Sequence, residues 1–270
     1  VSSVSDMFSV IIPAYNSEKT IEKTLNSLKN QTTPQLIHEV IVINDGSTDG
    51  TANKVEQYKE NEGHNLNIIL YNQKNTGVAA ARNVGMRMAT AQYLAFLDSD
   101  DCWVPEKLES QEKILRENPE IDLLCGGMEE GNLKIALKKY NLLHRLSLKE
   151  YCIKSVIFTS TVVIRRKRIN EVGYFDESMQ YCEDMNYYQR FFKWNHVYYQ
   201  PKKLIDYGIG REYYGQSGLS SHLKEMHCGR RKNFQILREK KEISCMFYMA
   251  MIIFGKIKFL RRKIIVSRQK

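Results

Sequence analysis

Asp98, Asp100 and Asp101 place three carboxylates within four residues, directly after the apolar run "YLAFL". Like charges so close, beside a low-dielectric interior, repel one another with little screening. The pattern predicts either a divalent cation that offsets the repulsion or a solvated acidic turn that caps the next helix. In extended backbone, residues two apart point the same way, so Asp98 and Asp100 would present their carboxylates together while Ser99 faces elsewhere. Mg²⁺ or Mn²⁺, each of which takes few carboxylates and completes its shell with phosphate oxygens, suits that pair.

A second acidic pair, Glu183-Asp184, opens a stretch containing Tyr187, Tyr188, Phe191, Phe192 and Trp194. Acids in a first helical turn are favoured by the macrodipole, which is one reading. The other is a general base, because an Asp ionised at neutral pH can accept a proton from a hydroxyl within hydrogen-bond reach. Arg82 and Asn83 stand together in a helical segment of otherwise small and apolar residues, "TGVAAARNVGMRMA". Arg82 suits an ion pair with a nearby acid or contact with a diphosphate. Asp45 ends the second apolar run of the chain and begins an Asp-Gly turn, where its carboxylate could meet a base N–H, while Asp49 is expected to serve the turn. Pro13, Ala14, Tyr15 and Asn16 follow the first apolar run; Pro ends a strand, Asn caps a helix, and Tyr15 offers a ring on which a base could stack.

These residues need a frame that gathers them. Short apolar runs at 8–13, 39–45, 66–71 and 93–98 alternate with helical stretches near 18–30, 49–61 and 78–90. Strands apolar on both faces and separated by helices predict an α/β fold with a Rossmann-like, mostly parallel sheet flanked by helices. In such a sheet the ligand site lies beyond the strands' carboxyl ends, which is where "PAYN", "NDGSTDGT", "NQKNTG" and "DSDD" fall. The chain contains neither G-x-G-x-x-G nor G-x-x-x-x-G-K-[ST], which argues against dinucleotide and P-loop chemistry. Further on, a helix is expected at 106–117, an apolar segment at 121–128, a basic helix near 133–150, a β-rich run at 158–166, and an aromatic helix after Glu183.

The 270 residues carry a formal net charge of +9, but residues 201–270 hold 17 basic and 5 acidic groups, so the basicity belongs to the tail. The six cysteines show neither metal-ligand spacing nor a compact disulfide framework, which predicts reduced thiols in a cytoplasmic chain. The first residues, "VSSVSDMFSV", do not read as a secretion signal. The run Cys245 to Gly255 is about half the ~20 residues needed to span a bilayer. Followed by seven basic residues and no acid, it predicts either an interfacial helix on an anionic membrane, through residues 245–270, or a helix packed on the domain with a solvated end. No nucleic-acid-binding motif is present.

Taken in order, "FSVIIPAYN", "EVIVINDGSTDGT", "NTGVAAARNVG", "YLAFLDSDD" and "CEDMNYYQRF" resemble the successive motifs of family 2 glycosyltransferases with the GT-A fold, over roughly residues 8–195. The resemblance implies an inverting, divalent-metal-assisted transfer of a sugar from a nucleotide sugar. Carried over, Pro13, Ala14, Tyr15, Asn16 and Asp45 correspond to base and ribose contacts, with Arg82 and Ser99 also on the nucleotide side. Asp100 corresponds to the metal ligand, with Asp98 nearer the ribose or metal waters. Asp184 matches the base of the "ED" motif and Glu183 its supporting neighbour. A late loop, "YYGQSGLSSH", resembles the Gly-x-Ser element that closes over the diphosphate, which makes Gly218, Ser220 and His222 candidates, with His222 read as a surface histidine. A catalytic domain at 7–215, its nucleotide-sugar half at 7–105 and acceptor half at 106–215, with a loop and basic helical tail at 216–270, follows from the same reading. A saccharide acceptor on a lipid carrier is expected from family and tail together. Two alternatives share the sheet and the carboxylates: a sugar nucleotidyltransferase, which would carry a Gly-rich loop where "PAYNSEKT" stands, and a non-catalytic membrane-associated nucleotide-sugar binder. A haloacid-dehalogenase-type phosphatase would need its D-x-D after the first strand rather than the fourth.

Overall fold

The computed structural model describes residues 7–63, 65–131, 133–194, 196–207 and 222–269, with side chains described through Ile264. Strands β1 (Phe8–Ala14), β2 (Ile37–Asp45), β3 (Ile68–Gln73) and β4 (Tyr93–Phe96) alternate with helices α1 (Ile21–Lys29), α2 (Thr51–Asn61) and α3 (Val78–Met88). The expected alternation is therefore present, with boundaries moved by one to three residues. A two-residue strand β5 (Cys102–Trp103) and helix α4 (Lys107–Glu117) precede β6 (Leu123–Gly127). Then come β7 (Leu133–Ile135), β8 (Lys138–Tyr140), β9 (His144–Arg145), α5 (Leu148–Ile153), β10 (Val163–Arg165), α6 (Ile169–Val172) and α7 (Glu183–Gln189). Strands β11 (Val197–Lys203) and β12 (Ile205–Asp206) and the long helices α8 (Leu223–Glu239) and α9 (Cys245–Gln269) follow.

The basic helix expected near 133–150 is not formed. Its place holds the antiparallel hairpin β7–β8, with Leu133 paired to Tyr140, then β9 and the start of α5. Lys138 and Lys139 supply charge but no helical stripe, whereas Leu133 and Ile135 alternate into the core at a strand's period of two. The helix begins only at Ser147, whose hydroxyl accepts the Glu150 N–H while Glu150 returns a bond to the Ser147 N–H, a capping box.

One eight-stranded sheet of order β3-β2-β1-β4-β10-β6-β11-β9 runs through both halves of the chain. The pairs β3–β2, β2–β1, β1–β4 and β6–β11 are parallel, and β10 runs antiparallel between β4 and β6. Side chains alternate between two cores: Val10, Ile12, Val40 and Val42 pack with α1 and α2, while Ile11, Ile41 and Ile43 pack with α3. Because β2 and β4 flank β1, the chain leaves β1 toward one neighbour and reaches the other later, which opens a crevice at their carboxyl ends.

The C-terminal helices complete the domain. Phe234 and Leu237 of α8, Ile243 between the helices and Met251 of α9 are buried in the same core cluster as Tyr187, Tyr188 and Phe191. The apolar run Cys245 to Gly255 therefore divides: Phe247, Tyr248, Met251 and Ile252 pack inward, whereas Met246, Met249 and Ile253 remain exposed. Among the described residues, no helix is long and apolar enough to cross a membrane.

Helix α3 lies close on β1: a Cβ on Gly85 would sit 2.5 Å from Ile11 Cγ2. Ala normally gains about 1 kcal/mol over Gly inside a helix, but overpacking a filled core costs roughly 1–3 kcal/mol. Gly85→Ala is thus expected to lower the urea midpoint, and a raised midpoint would show that Ile11 yields freely.

Candidate active site

The loops after β1, β2, β3 and β4 meet on one rim and bond to one another. Asn16 Oδ1 accepts the Thr48 N–H at 2.9 Å, and the Asn16 N–H donates to Ser47 Oγ at 3.0 Å. Asn16 holds a left-handed backbone (φ 50°), a conformation that Asn tolerates better than most residues. Gly46 is required where the second loop meets the third, since its φ is +70° and a Cβ there would lie 2.6 Å from the Asn75 nitrogen. Asp45 is buried and committed to the third loop: Oδ1 accepts the Thr76 N–H at 2.9 Å and Oδ2 accepts the Gly77 N–H at 2.8 Å. A carboxylate oxygen can accept a second hydrogen bond, so a base contact is compatible with this structural duty. Asp49 serves the turn, as expected, accepting from the Thr51 and Glu18 amides. Tyr15 is half exposed, with its ring free to receive a planar ligand.

The D-x-D segment is not extended. The Asp101 N–H donates to the Asp98 carbonyl at 3.1 Å, closing a tight turn immediately after β4. Ser99 is buried and its hydroxyl bonds Ser17 Oγ at 2.7 Å, while Thr24 of α1 donates to the Ser99 and Asp101 carbonyls. Asp101 does not cap α4. It is buried and accepts from Ser160 Oγ at 2.5 Å, and Ser160 in turn accepts the Asp98 N–H at 3.0 Å. Asp98 and Asp100 are left partly exposed on the same turn. Among the described residues no three His, Cys, Asp or Glu side chains gather into a metal-holding group. Two partly exposed carboxylates on one turn nevertheless fit a hard divalent cation that takes its other ligands from water and a diphosphate.

Arg82 takes the ion-pair alternative. Its NH2 donates to Asp98 Oδ1 and its NH1 to Glu183 Oε1, each at 2.9 Å, with the guanidinium 6 % exposed and lying over the Phe175 ring. Two of the five guanidinium N–H donors are used in these pairs, and Nε–H has no hydrogen-bond partner among the described residues. Burial opposes its charge, but Asp98 and Glu183 hold its proton more tightly than usual. Asn83 beside it donates to the Phe175 carbonyl and to Glu177 and accepts the Phe175 N–H, fixing the loop that leads to α7.

Glu183 is buried and its carboxyl is pushed up to about 7, first by desolvation and then by the neighbouring Asp184, against the pull of Arg82. Asp184 is partly exposed, and burial also raises its pKa, with Arg82, the Met185 N–H and Arg230 working the other way. The first residue before this pair, Cys182, adopts a left-handed φ of 59°, a strained conformation that the surrounding bonds hold in place. Its carbonyl accepts Asn233 Nδ2 at 2.9 Å and its thiol donates to the Met226 carbonyl at 3.3 Å, both from α8.

Pro13 and Ala14 end β1 at the rim, buried. His222 is exposed at the start of α8, its ring 5.7 Å from that of Tyr181, as a surface histidine would be. Gly218, Ser220 and the boundary near 215 lie outside the described residues. The sequence reading missed Ser160, within a run expected to be β, because its neighbours resemble a strand while Thr159–Thr161 forms a 3₁₀ turn. It also missed Asn233 and Gly229 of α8, which carry no local signal of their contact with Cys182.

Removing one partner of a buried ion network leaves the others uncompensated and typically costs ~3–5 kcal/mol. Arg82→Met is expected to destabilise the fold by that order in urea unfolding; a loss below ~1 kcal/mol would mean that Glu183 simply takes up a proton.

The model of the family described as Glycosyl transferase family 2 matches residues 9–174. A teichuronic acid biosynthesis glycosyltransferase, TuaG of Bacillus subtilis, is 40% identical over 111 residues, covering 41% of this chain and 42% of that protein. The Escherichia coli UDP-Glc:alpha-D-GlcNAc-diphosphoundecaprenol beta-1,3-glucosyltransferase WfgD is 30% identical over 168 residues, 62% of this chain and 64% of that one. The crystal structure of Staphylococcus aureus TarS 1–349 in complex with UDP-GlcNAc superposes with a TM-score of 0.68 at 26% identity, covering 98% of this chain and 74% of the other. The chain spans less than two thirds of the length of these curated relatives, 42% and 64%. With the matched segment containing β1 to β4, the D-x-D turn and Arg82, the chain belongs to glycosyltransferase family 2.

Proposed function

We propose that this protein transfers a hexosyl or N-acetylhexosaminyl unit from a UDP-sugar to a hydroxyl of a lipid-linked saccharide in bacterial surface-polysaccharide assembly. The observation that carries the reading is the Arg82 bridge, which joins the D-x-D turn to the Glu183-Asp184 pair through two 2.9 Å ion pairs. The relatives' own substrates support the choice of donor and acceptor.

The donor base lies between Tyr15 and the Asp45 loop, and its diphosphate lies beside Asp98 and Asp100. A divalent cation held by Asp100 with Asp98, Mn²⁺ or Mg²⁺, would offset charge on the departing nucleoside diphosphate. Asp184 accepts the proton of the acceptor hydroxyl as its oxygen bonds the anomeric carbon and the bond to the diphosphate breaks, a single displacement with inversion. Glu183 keeps Arg82 in place and, through its own charge, resists early ionisation of Asp184.

The acceptor's carrier suggests where the enzyme sits. Met246, Met249, Ile253, Ile257, Leu260 and Ile264 recur at helical spacing along α9, all at least half exposed. Lys256 and Lys263 flank one side of this stripe and Arg261 the other, an arrangement that suits the inner face of an anionic cell membrane.

Asp184→Asn is expected to retain nucleotide-sugar binding by calorimetry and to lower turnover about 10²–10⁴-fold, with normal turnover removing the base assignment. Asp100→Ala should instead weaken Mn²⁺-dependent donor binding. Because the base must be ionised and burial raises its pKa above that of an ordinary aspartate, transfer should begin to fall at a higher pH than the ~4 of a free carboxylate. A rate profile that stays flat down to pH ~4 would contradict the buried base. For the stripe, the full chain with Ile253→Asp and Ile257→Asp should stop cosedimenting with phosphatidylglycerol vesicles while keeping its unfolding midpoint. Equal sedimentation would remove the membrane argument.

A further inference from the structure

Helix α7 carries the acidic pair in its first turn, yet that turn is not held by local contacts alone. The residue that opens it, Cys182, makes no side-chain hydrogen bond to the amides that follow and stands at a left-handed φ of 59°. A residue with a Cβ is strained there unless surrounding contacts hold it. Those contacts come from α8: Met226 and Asn233, 44 and 51 residues further on, both bond Cys182.

Asn233 is fully buried and spends both ends of its side-chain amide on this turn. Nδ2 donates to the Cys182 carbonyl at 2.9 Å, and Oδ1 accepts Asn186 Nδ2 at 3.1 Å. A carbonyl can only accept, so the NH2 end of Asn233 must face Cys182 and the oxygen must face Asn186. The same Cys182 carbonyl accepts the Asn186 N–H at 3.1 Å, the bond that closes the first turn of α7. Asn233 therefore holds this turn at its start and at its end, and Glu183 and Asp184 lie between the two points. Four residues earlier on α8, a Cβ on Gly229 would sit 2.6 Å from the Tyr181 carbonyl oxygen, so the two segments meet backbone to backbone. The hold extends to the carboxylate, because Asp184 Oδ1 accepts the Met185 N–H at 2.7 Å and the side chain is thereby tied to the backbone of the same turn.

We infer that Asn233 is a positioning residue for the transfer: it fixes the first turn of α7, and with it Asp184, in the orientation that the acceptor hydroxyl requires. A displacement of a reacting group by about 1 Å can cost ~10²-fold in rate, so a two-point hold on this turn has a kinetic consequence. The inference rests on Asp184 acting as the base and adds the group that aims it.

Asn233→Leu in the full chain tests it. The substitution keeps the branched shape, and the Cys182 carbonyl keeps the Asn186 N–H, so the turn can still close. Turnover should fall about 10–100-fold, while UDP-sugar affinity by calorimetry stays within about twofold because donor binding is assigned to the loops after β1, β2 and β4. Leu237→Ala, one turn further along α8 and buried, is the control for packing: it should lower the urea midpoint yet keep kcat within about threefold. The decisive comparison is the double variant. In the Asp184→Asn background no base is left to aim, so adding Asn233→Leu should lower the residual turnover by less than about threefold. Unchanged kcat in Asn233→Leu, an equal fall in Leu237→Ala, or an undiminished fall in the Asp184→Asn background would each overturn the assignment. Should the leucine variant not fold, Asn233→Ala is read by the same criteria. Normal turnover in Asp184→Asn alone would reject the base itself, whereas loss of turnover there beside a fully active Asn233→Leu rejects only the positioning role.

Discussion

A buried guanidinium between two carboxylates fixes the geometry on which the rest of this site depends. Arg82, Asp98 and Glu183 come from α3, the turn after β4 and the start of α7, with Arg82 and Glu183 separated by 101 residues. None of the three could be buried alone, because the desolvation of a single charge is far larger than the stability of a domain. Together they are tolerated, and their mutual need sets where α7 begins relative to the D-x-D turn. The same network explains why Glu183 sits poised near neutrality: Arg82 favours its charge while burial and Asp184 oppose it.

Helix α3 is the ruler that makes the bridge possible. Gly85 lets it lie on Ile11 of β1 without an intervening methyl group, and Asp45 holds the amides of Thr76 and Gly77 just before its first turn. With both ends fixed to the central strands, Arg82 and Asn83 project to defined places, one joining the two acidic pairs and the other clamping Phe175 and Glu177. The other wall is equally tied. Ser17, Thr24 and Ser160 bond the D-x-D turn from three directions, so Asp98 and Asp100 stand on a backbone with few remaining freedoms.

The C-terminal helices belong to the catalytic body as much as to any surface. Phe234, Leu237 and Met251 share the core of α7, and Asn233 holds the strained Cys182 carbonyl that precedes the acidic pair. One face of α9 is thereby used up in packing. Its opposite face keeps an exposed apolar stripe, so a single helix addresses both the core and the solvent.

The amino-acid sequence by itself determined the strand–helix alternation, the four polar loops beyond the strands, and the family, because periods of 2 and 3.6 and turn residues act locally. It also singled out Arg82, Asn83, Asp98, Asp100, Glu183 and Asp184 as polar groups in need of partners. Their partners were decided only by the tertiary structure. Which acids Arg82 met, whether Asp101 capped a helix or bonded Ser160, and whether residues 133–150 coiled or formed a hairpin depended on contacts between distant segments. Such contacts leave no periodic trace: Lys138 and Lys139 look alike in a helix or a strand, and Ser160 looks like any strand serine until the turn of Asp98 comes to rest on it. Local chemistry fixes what each residue can do, and the packing of remote elements around a low-dielectric core selects which of those options is realised.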